Sequence, residues 1–140
     1  MTKIFEVDLR ELQPSQLYIC SDKLAEVAQS SGEHILDPVP VRRLCSKTVL
    51  TDGHTRAFAA FQAGHSTIAA YWETDELDWE AYEICVRWCV QEGIHSIADL
   101  ADRVITADDY EELWYKRCRA MHQELQSKRE RQEGTTNGCS

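Results

Sequence analysis

The sequence predicts an α+β protein, in which a small mixed sheet with helices is followed by an all-helical segment. Residues 4–72 contain short apolar runs, rich in β-branched residues and separated by proline and glycine turns, which is the pattern of strands. From residue 74 the apolar residues recur at helical spacing, and the net charge is −8 over 74–126 against −2 over 1–73. We therefore predict an α/β domain (1–73), a helical segment packed on it (74–126) and a disordered tail (127–140).

The elements of the first half follow from local patterns. Residues 3–9 alternate in polarity and predict a first strand. Pro38 and Pro40 force extended backbone, and residues 41–44 and 48–50 then predict a hairpin. A helix begins near His54 and stops at Gly64, and residues 66–72 predict a further strand.

Three helices are predicted in the second half. Residues 79–90 place apolar side chains at helical spacing before a stop at Gly93. Ser96, with an acid three residues later, has the pattern of a capping box for a second helix. Residues 110–125 form an amphipathic third helix. No motif with a known chemistry occurs in this half, so its aromatic stripe is expected to pack on the sheet or on a second copy of the protein.

Composition excludes several function classes. A net charge of −9 over 140 residues argues against nucleic acid and against anionic membrane surfaces as main partners. No apolar run approaches the length that spans a bilayer, and the first residues carry no apolar signal region. We therefore expect a cytoplasmic protein. Its six cysteines are expected to pack as small hydrophobes, and no structural zinc is expected, although Cys85, Cys89, Cys118 and His122 have spacings that suit a metal.

The stretch with the strongest chemical pattern is the turn Asp52-Gly53-His54-Thr55-Arg56, which lies between a predicted strand and a predicted helix. Backbone N–H groups at the start of a helix are unpaired, and the helix dipole is positive there, so such a turn suits an anion. Gly53 permits a positive φ or the close approach of a ligand. Arg56 falls in the first helical turn, where its guanidinium can clamp a phosphate or a carboxylate.

Asp52 and His54 extend the prediction from binding to catalysis. A carboxylate repels phosphate unless a cation or a proton lies between them, so Asp52 indicates either a Mg²⁺ ligand or an acceptor of a substrate proton. His54 titrates near neutral pH and has the chemistry to hydrogen-bond a phosphoryl oxygen. The alternative is a structural turn, in which Asp52 caps the helix and Arg56 forms a surface ion pair.

Roughly half of the chain resembles the ParB/sulfiredoxin-like superfamily. The resemblance rests on residues 52–60, together with Pro14-Ser15-Gln16 and Pro38-Val39-Pro40-Val41. The resemblance implies a Gly-x-x-Arg turn at the head of a helix, over a small α/β domain that binds nucleotide phosphates. The Asp-Gly-His-x-Arg form is similar to the branch that includes free-serine kinases. It implies ATP or ADP with Mg²⁺ as the donor and a small hydroxylated amino acid as the acceptor.

Three positions depart from the resemblance. Sulfiredoxins carry their catalytic cysteine one residue after the glycine, where this chain has His54, which excludes sulfiredoxin chemistry. Partition proteins have Gly-Glu-Arg-Arg, of which Gly53 and Arg56 remain here. The serine kinases place a glutamate just after the upstream proline, where this chain has Ser15 and Gln16.

The sequence leaves three functions open. The first is nucleotide or phosphate binding at Gly53, His54, Thr55 and Arg56, with Asp52 and His54 catalytic if phosphoryl transfer occurs. Gln16, Asp22 and Lys23 are then candidates for the substrate side. The second is a non-catalytic module that senses a nucleotide and recruits a protein partner or dimerises through the helices. The third, DNA binding of the partition type, is opposed by the net charge.

Overall fold

The computed structural model describes residues 2–29 and 37–139 and the side chains up to residue 133. Strands dominate the first half, and helices dominate the second. The strands are β1 (Phe5–Asp8), β2 (Leu12–Gln13), β3 (Ile19–Cys20), β4 (Val39–Leu44), β5 (Lys47–Leu50), β6 (Thr67–Trp72) and β7 (Val104–Ile105). The α-helices are α1 (Ser21–Gln29), α2 (His54–Gln62), α3 (Trp79–Gln91), α4 (Ala107–Tyr110) and α5 (Lys116–Cys139).

Five strands form one mixed sheet in the order β1-β6-β4-β5-β2. The pairs β1/β6 and β4/β5 are antiparallel, whereas β6/β4 and β5/β2 are parallel. Strands β4 and β5 form a hairpin in which Leu44 is paired with Lys47. Its loop residues Cys45 and Ser46 have φ values of 53° and 63°, which suit the twist of a two-residue hairpin. The mixed sheet and the helices confirm the predicted fold class.

The helical half is more irregular than the sequence predicts. A 3₁₀ segment, Ile97–Arg103, replaces the expected second helix, and Ser96 and Asp99 form the predicted capping box at its start. Helices α4 and α5 are joined by a π-helical turn, Glu111–Tyr115. Helix α5 continues to Cys139, through the range in which a disordered tail is predicted, because residues 126–133 are mostly Lys, Arg, Glu and Gln, which favour helices.

Both halves of the chain contribute to the main apolar core. The core cluster includes Phe58 and Ile68 from the first half and Ile97, Trp114 and Leu125 from the second. Strand β7 pairs in parallel with β3 and thereby forms a second, two-stranded sheet. Polar contacts also cross between the halves, since the buried Gln13 amide donates to the carbonyl of Ile94 at 2.9 Å. The helical segment is therefore part of the same folding unit as the sheet.

Among the residues that the structure describes, no helix is both long enough and apolar enough to cross a membrane.

Candidate functional site

The predicted turn lies between the end of β5 and the start of α2, at the middle of the chain. Thr51 fixes it to β4, because its N–H and its hydroxyl both donate to the carbonyl of Pro40, at 3.1 and 3.2 Å. Gly53 follows with φ = 79° and ψ = 24°, a left-handed conformation that favours glycine. The turn is thus set by backbone geometry and a strand contact, as the sequence predicts.

Arg56 folds back from the first turn of α2 and covers Gly53. A Cβ atom on residue 53 would lie 2.9 Å from Nη2 of Arg56 and 3.0 Å from Cγ1 of Val39, which is too close for an unshifted side chain. The other guanidinium nitrogen, Nη1, donates to the carbonyl of Asp37 at 3.4 Å. Glycine is therefore favoured at this position by its φ, and a larger residue would also have to displace the Arg56 guanidinium or Val39.

Within the described residues, no side chain caps the start of helix α2. Its first internal hydrogen bond runs from the N–H of Ala57 to the carbonyl of Gly53 at 3.0 Å, so the N–H groups of His54, Thr55 and Arg56 have no carbonyl partner within the helix. By contrast, Asp78 caps α3 by accepting from the N–H of Ala81. The start of α2 thus combines uncapped N–H groups, the positive end of the helix dipole and a guanidinium.

Asp52 is exposed at the same turn. Its Oδ1 accepts a hydrogen bond from the N–H of Gly53 at 2.8 Å, which holds the carboxylate beside the start of α2. The pKa of Tyr82 is raised, first by burial and then by the negative charge of Asp52. No group of three or more His, Cys, Asp and Glu side chains is arranged to hold a metal in the described part of the chain. Mg²⁺ that arrives with phosphates needs only one or two protein carboxylates, and Asp52 fits that requirement.

The surroundings of His54 do not suit the catalytic role that the sequence predicts for it. The side chain is 4% exposed, and its Nε2 accepts a hydrogen bond from the N–H of Ser15 at 2.9 Å. Burial lowers the pKa of His54 to about 3, so the imidazole is neutral at physiological pH. Ser15 in turn donates through Oγ to the carbonyl of Leu50 at 2.7 Å. His54 therefore joins the loop at residue 15 to the start of α2, and its Nε2 is not available to a ligand.

A cleft of about 250 Å³ lies beside the turn, between the loops of the first half and helices α3 and α5. Gln16 and Thr51 line its loop side, and Asp78 and His122 contribute polar groups from the helical half. Its remaining lining residues are Ser15, Ala81, Tyr82, Cys85, Trp114, Cys118 and Met121. A larger hollow of about 520 Å³, over residues 71–75, contains none of the predicted site residues.

The three predicted substrate-side residues do not converge on one site. The amide of Gln16 donates to the carbonyl of Tyr18 and to the hydroxyl of Tyr110, both at 2.9 Å, although the residue still lines the cleft. Lys23 donates to the hydroxyl of Tyr115 at 2.8 Å, and this hydrogen bond raises its pKa. The ammonium also lies over two tyrosine rings. Asp22 is exposed in the first turn of α1. Of the three, only Gln16 borders the cleft.

Sequence reasoning missed the contribution of α3. Tyr82 donates from its hydroxyl to the carbonyl of Thr51 at 3.1 Å and thereby connects the helical half to the turn. In the sequence Tyr82 is one member of an apolar helical stripe, and no local pattern distinguishes it from a core residue. Its role depends on a contact between residues 31 positions apart.

No protein-family model and no curated protein matches the chain. Among solved structures, it is similar to the C-terminally truncated chromosome-partitioning protein ParB from Caulobacter crescentus complexed with CTP-γ-S, with a TM-score of 0.45 and 22% identity over 64% of this chain. It is also similar to protein Atu1540 from Agrobacterium tumefaciens (TM-score 0.48, 13% identity), over 70% of this chain and 61% of that one. A third match is the Caulobacter ParB complexed to the centromeric parS site (TM-score 0.40, 17% identity), over 71% of this chain and 69% of that one.

The match covers only 53% of the CTP-γ-S-bound ParB chain. At identities of 13–22%, these matches are likenesses of fold alone.

Proposed function

We propose that this protein binds the phosphate groups of a nucleotide at the turn of residues 52–56. The observation that carries the proposal is the start of α2, where a left-handed glycine precedes N–H groups that no described side chain caps, and where the guanidinium of Arg56 lies next to that glycine. Helix N-termini with free N–H groups bind phosphate, and a guanidinium adds paired, charged donors. The same arrangement explains why residue 53 is glycine.

Each residue of the turn has a distinct role in this proposal. The N–H groups of Thr55 and Arg56 and the Arg56 guanidinium hold phosphate oxygens. Asp52 holds Mg²⁺ that the nucleotide brings, because a carboxylate beside phosphate is favourable only with a cation between them. His54 acts as a positioning residue, since its buried Nε2 fixes the loop at Ser15 against the helix.

A kinase reaction is a second candidate, and the cleft beside Thr51 favours it. A volume of about 250 Å³ accommodates a small amino acid next to the bound phosphates, with ATP or ADP as donor. Phosphoryl transfer depends mainly on positioning and charge neutralisation, but the acceptor hydroxyl also needs a group that orients it. Gln16 has no carboxylate, and its amide is engaged by Tyr18 and Tyr110. In this candidate Asp52 therefore serves as the proton acceptor instead of as a Mg²⁺ ligand, and Asp78 in the cleft lining is the alternative acceptor.

Thermal unfolding with nucleotides tests the binding proposal. ATP, ADP and CTP, each with and without Mg²⁺, are added to the full chain and to two variants, Arg56→Ala and Arg10→Ala. A nucleotide at a hundred times its dissociation constant stabilises the folded state by about 2.7 kcal/mol, which raises the melting temperature measurably. We expect a shift for one nucleotide that is lost in Arg56→Ala and kept in Arg10→Ala, because Arg10 is an exposed arginine away from the turn.

Two outcomes contradict the binding proposal: no shift with any nucleotide, or an equal shift in Arg56→Ala and the unsubstituted chain. Either result would favour the non-catalytic interaction module, in which the helical half recruits a partner. The kinase candidate is tested separately by incubation with free serine and either donor, followed by detection of phosphoserine. Nucleotide binding without phosphoserine would exclude the reaction with this acceptor and leave the binding proposal intact.

A further inference from the structure

Two cysteines from different helices meet in the wall of the cleft. Cys85 lies on α3 and Cys118 on α5, both line the cleft, and each thiol shifts the pKa of the other. Helices α3 and α5 pack against each other. Cys85 is buried at 8% exposure, whereas Cys118 is partly exposed. The cleft wall therefore holds one thiol that solvent reaches and a second, buried thiol.

The other described cysteines lack this combination. Cys89 lies one turn further along α3 but is fully buried, and burial raises its pKa to about 12. Cys45 is exposed in the hairpin loop, and Cys20 is buried in β3. Reactivity towards oxidants requires both thiolate character and exposure, so Cys118 is the thiol that meets both conditions next to a partner.

The pKa values of the two thiols are shifted in opposite directions. The pKa of Cys118 is lowered, first by the hydrogen bond with Cys85 and then by the charges of Arg117 and Arg119. The pKa of Cys85 is raised by the same hydrogen bond and by burial. Cys118, which is the more acidic and the more exposed of the two, is therefore the candidate attacking thiol, and Cys85 is the candidate resolving thiol.

We propose that Cys118 and Cys85 form a reversible disulfide when the protein meets a peroxide, and that Cys118 reacts first. The Cys118 thiolate attacks one peroxide oxygen, the O–O bond breaks, and the leaving hydroxide takes up a proton to become water. Cys118 is thereby oxidised to a sulfenic acid. The Cys85 sulfur then attacks the Cys118 sulfur, the S–O bond breaks, and the released hydroxide leaves as a second water with the proton from Cys85.

The net reaction converts two thiols and one peroxide into a disulfide and two waters, and a dithiol reductant reverses it. The disulfide between Cys85 and Cys118 joins α3 to α5 in the wall of the cleft. This inference does not depend on nucleotide binding at the turn, because it rests on different residues and needs no ligand.

The test uses the full chain carrying Cys45→Ser and Cys139→Ser, which removes competing reactions of the hairpin thiol and the C-terminal thiol. Hydrogen peroxide is added, and the products are analysed by intact mass and peptide mapping. We expect a mass decrease of two hydrogen atoms and a peptide in which Cys85 is linked to Cys118, both reversed by dithiothreitol. If peptide mapping finds no such link while peroxide is consumed, the proposal is overturned.

Three further variants test the order of the steps. In Cys85→Ser, which keeps a hydroxyl donor beside Cys118, we expect a sulfenic acid on Cys118 that dimedone traps; absence of the adduct would contradict the proposal. In Cys118→Ser, oxidation of Cys85 should be slower by about ten-fold or more, since a buried thiol reacts poorly, and an unchanged rate would assign the first step to Cys85. Cys89→Ser is the matched control, and its disulfide should form as before.

Discussion

The side chain of Arg56 occupies the space that any side chain on residue 53 would need, so these two residues act together. Gly53→Ala forces an alanine into a left-handed conformation and also pushes its Cβ against the guanidinium and against Val39. Gly64 provides a matched control, because it too has a positive φ, of 93°, but its Cβ would meet nothing within 4 Å. The comparison separates backbone strain from displacement of Arg56.

We expect Gly64→Ala to lower the free energy of unfolding by about 1 kcal/mol, the cost of a strained backbone. Gly53→Ala should cost about 1–3 kcal/mol more, the range for an overpacked site, and should also abolish any nucleotide-induced stabilisation. Urea unfolding and thermal unfolding with nucleotide measure the two effects. Equal losses in the two variants would show that Arg56 moves aside without cost.

His54 makes the stability of the protein depend on pH. Its pKa is about 3 in the folded state, because burial disfavours the charged imidazole, and about 6.5 in the unfolded chain. Between these values the unfolded state binds more protons, so the contribution of His54 is complete above about pH 6.5 and is lost as the pH falls. The loss approaches 1.4 kcal/mol for each pH unit.

The measurement is urea unfolding of the full chain and of His54→Gln between about pH 6.5 and pH 5. Glutamine keeps an oxygen that accepts from the N–H of Ser15 but does not titrate. We expect the unsubstituted protein to lose about 2 kcal/mol more than the variant over this range. If the free energy of unfolding decreases equally in both proteins, other groups cause the acid sensitivity and folding does not lower the pKa of His54.

At the scale of residues, the sequence predicts the backbone of the turn better than the contacts of each side chain. Gly53 and Arg56 lie where the pattern places them, because a strand, a glycine and a helix start constrain one another locally. The role of His54 was not predictable in this way, since its burial depends on a loop 39 residues earlier in the chain. The same is true of Lys23, whose partner Tyr115 is 92 residues away.

At the scale of elements, Asp78 connects the start of α3 to the middle of α5. Its Oδ1 caps α3 through the N–H of Ala81 at 3.2 Å, and both its oxygens accept from the guanidinium of Arg129, at 2.8 and 3.1 Å. The pKa of Asp78 is lowered, chiefly by the hydrogen bonds from Arg129. The cap and the ion pair can be separated by substitution.

We expect Asp78→Ala to destabilise the protein by about 1–2 kcal/mol, because a helix cap and an ion pair are both lost. Asp78→Asn keeps an oxygen that caps α3, and Arg129→Ala removes only the exposed ion pairs with Asp78 and Glu80, so each should cost less than Asp78→Ala. Thermal unfolding of the three variants provides the test. A larger loss in Arg129→Ala than in Asp78→Ala would contradict the dominance of the cap.

The elements that the sequence predicts well are those with long, regular patterns, such as α2, α3 and the hairpin of β4 and β5. Strand β7 was not predicted, because two residues, Val104 and Ile105, are too short for a periodic signal. Its partner β3 lies some 85 residues earlier in the chain. The π-helical turn between α4 and α5 was also missed, since the apolar spacing of residues 110–125 suits an uninterrupted α-helix.

At the scale of the whole molecule, the predicted boundary at residue 73 separates two patterns but does not separate two cores. Leu9 accepts a backbone hydrogen bond from Ile97 at 3.3 Å, and the amide of Gln13 is buried against Ile94. Trp114, Met121 and Leu125 belong to the same apolar cluster as the sheet residues. The change from strand-like to helical spacing of apolar residues near residue 73 therefore marks a change from sheet to helices within one folding unit.

Because the two halves of the chain share the main apolar core, the stability of a fragment should depend on whether it contains both halves. The fragment 1–73 lacks the α3, α5 and β7 residues that cover its sheet, so it should bury too little apolar surface to offset its conformational entropy. The fragment 1–133 keeps every described core residue and should unfold within a few degrees of the full chain. Circular dichroism and thermal unfolding measure both. We expect a cooperative transition in 1–133 and none in 1–73; a cooperative transition in 1–73 would show that the sheet folds alone and that the helices pack on a domain that is already formed.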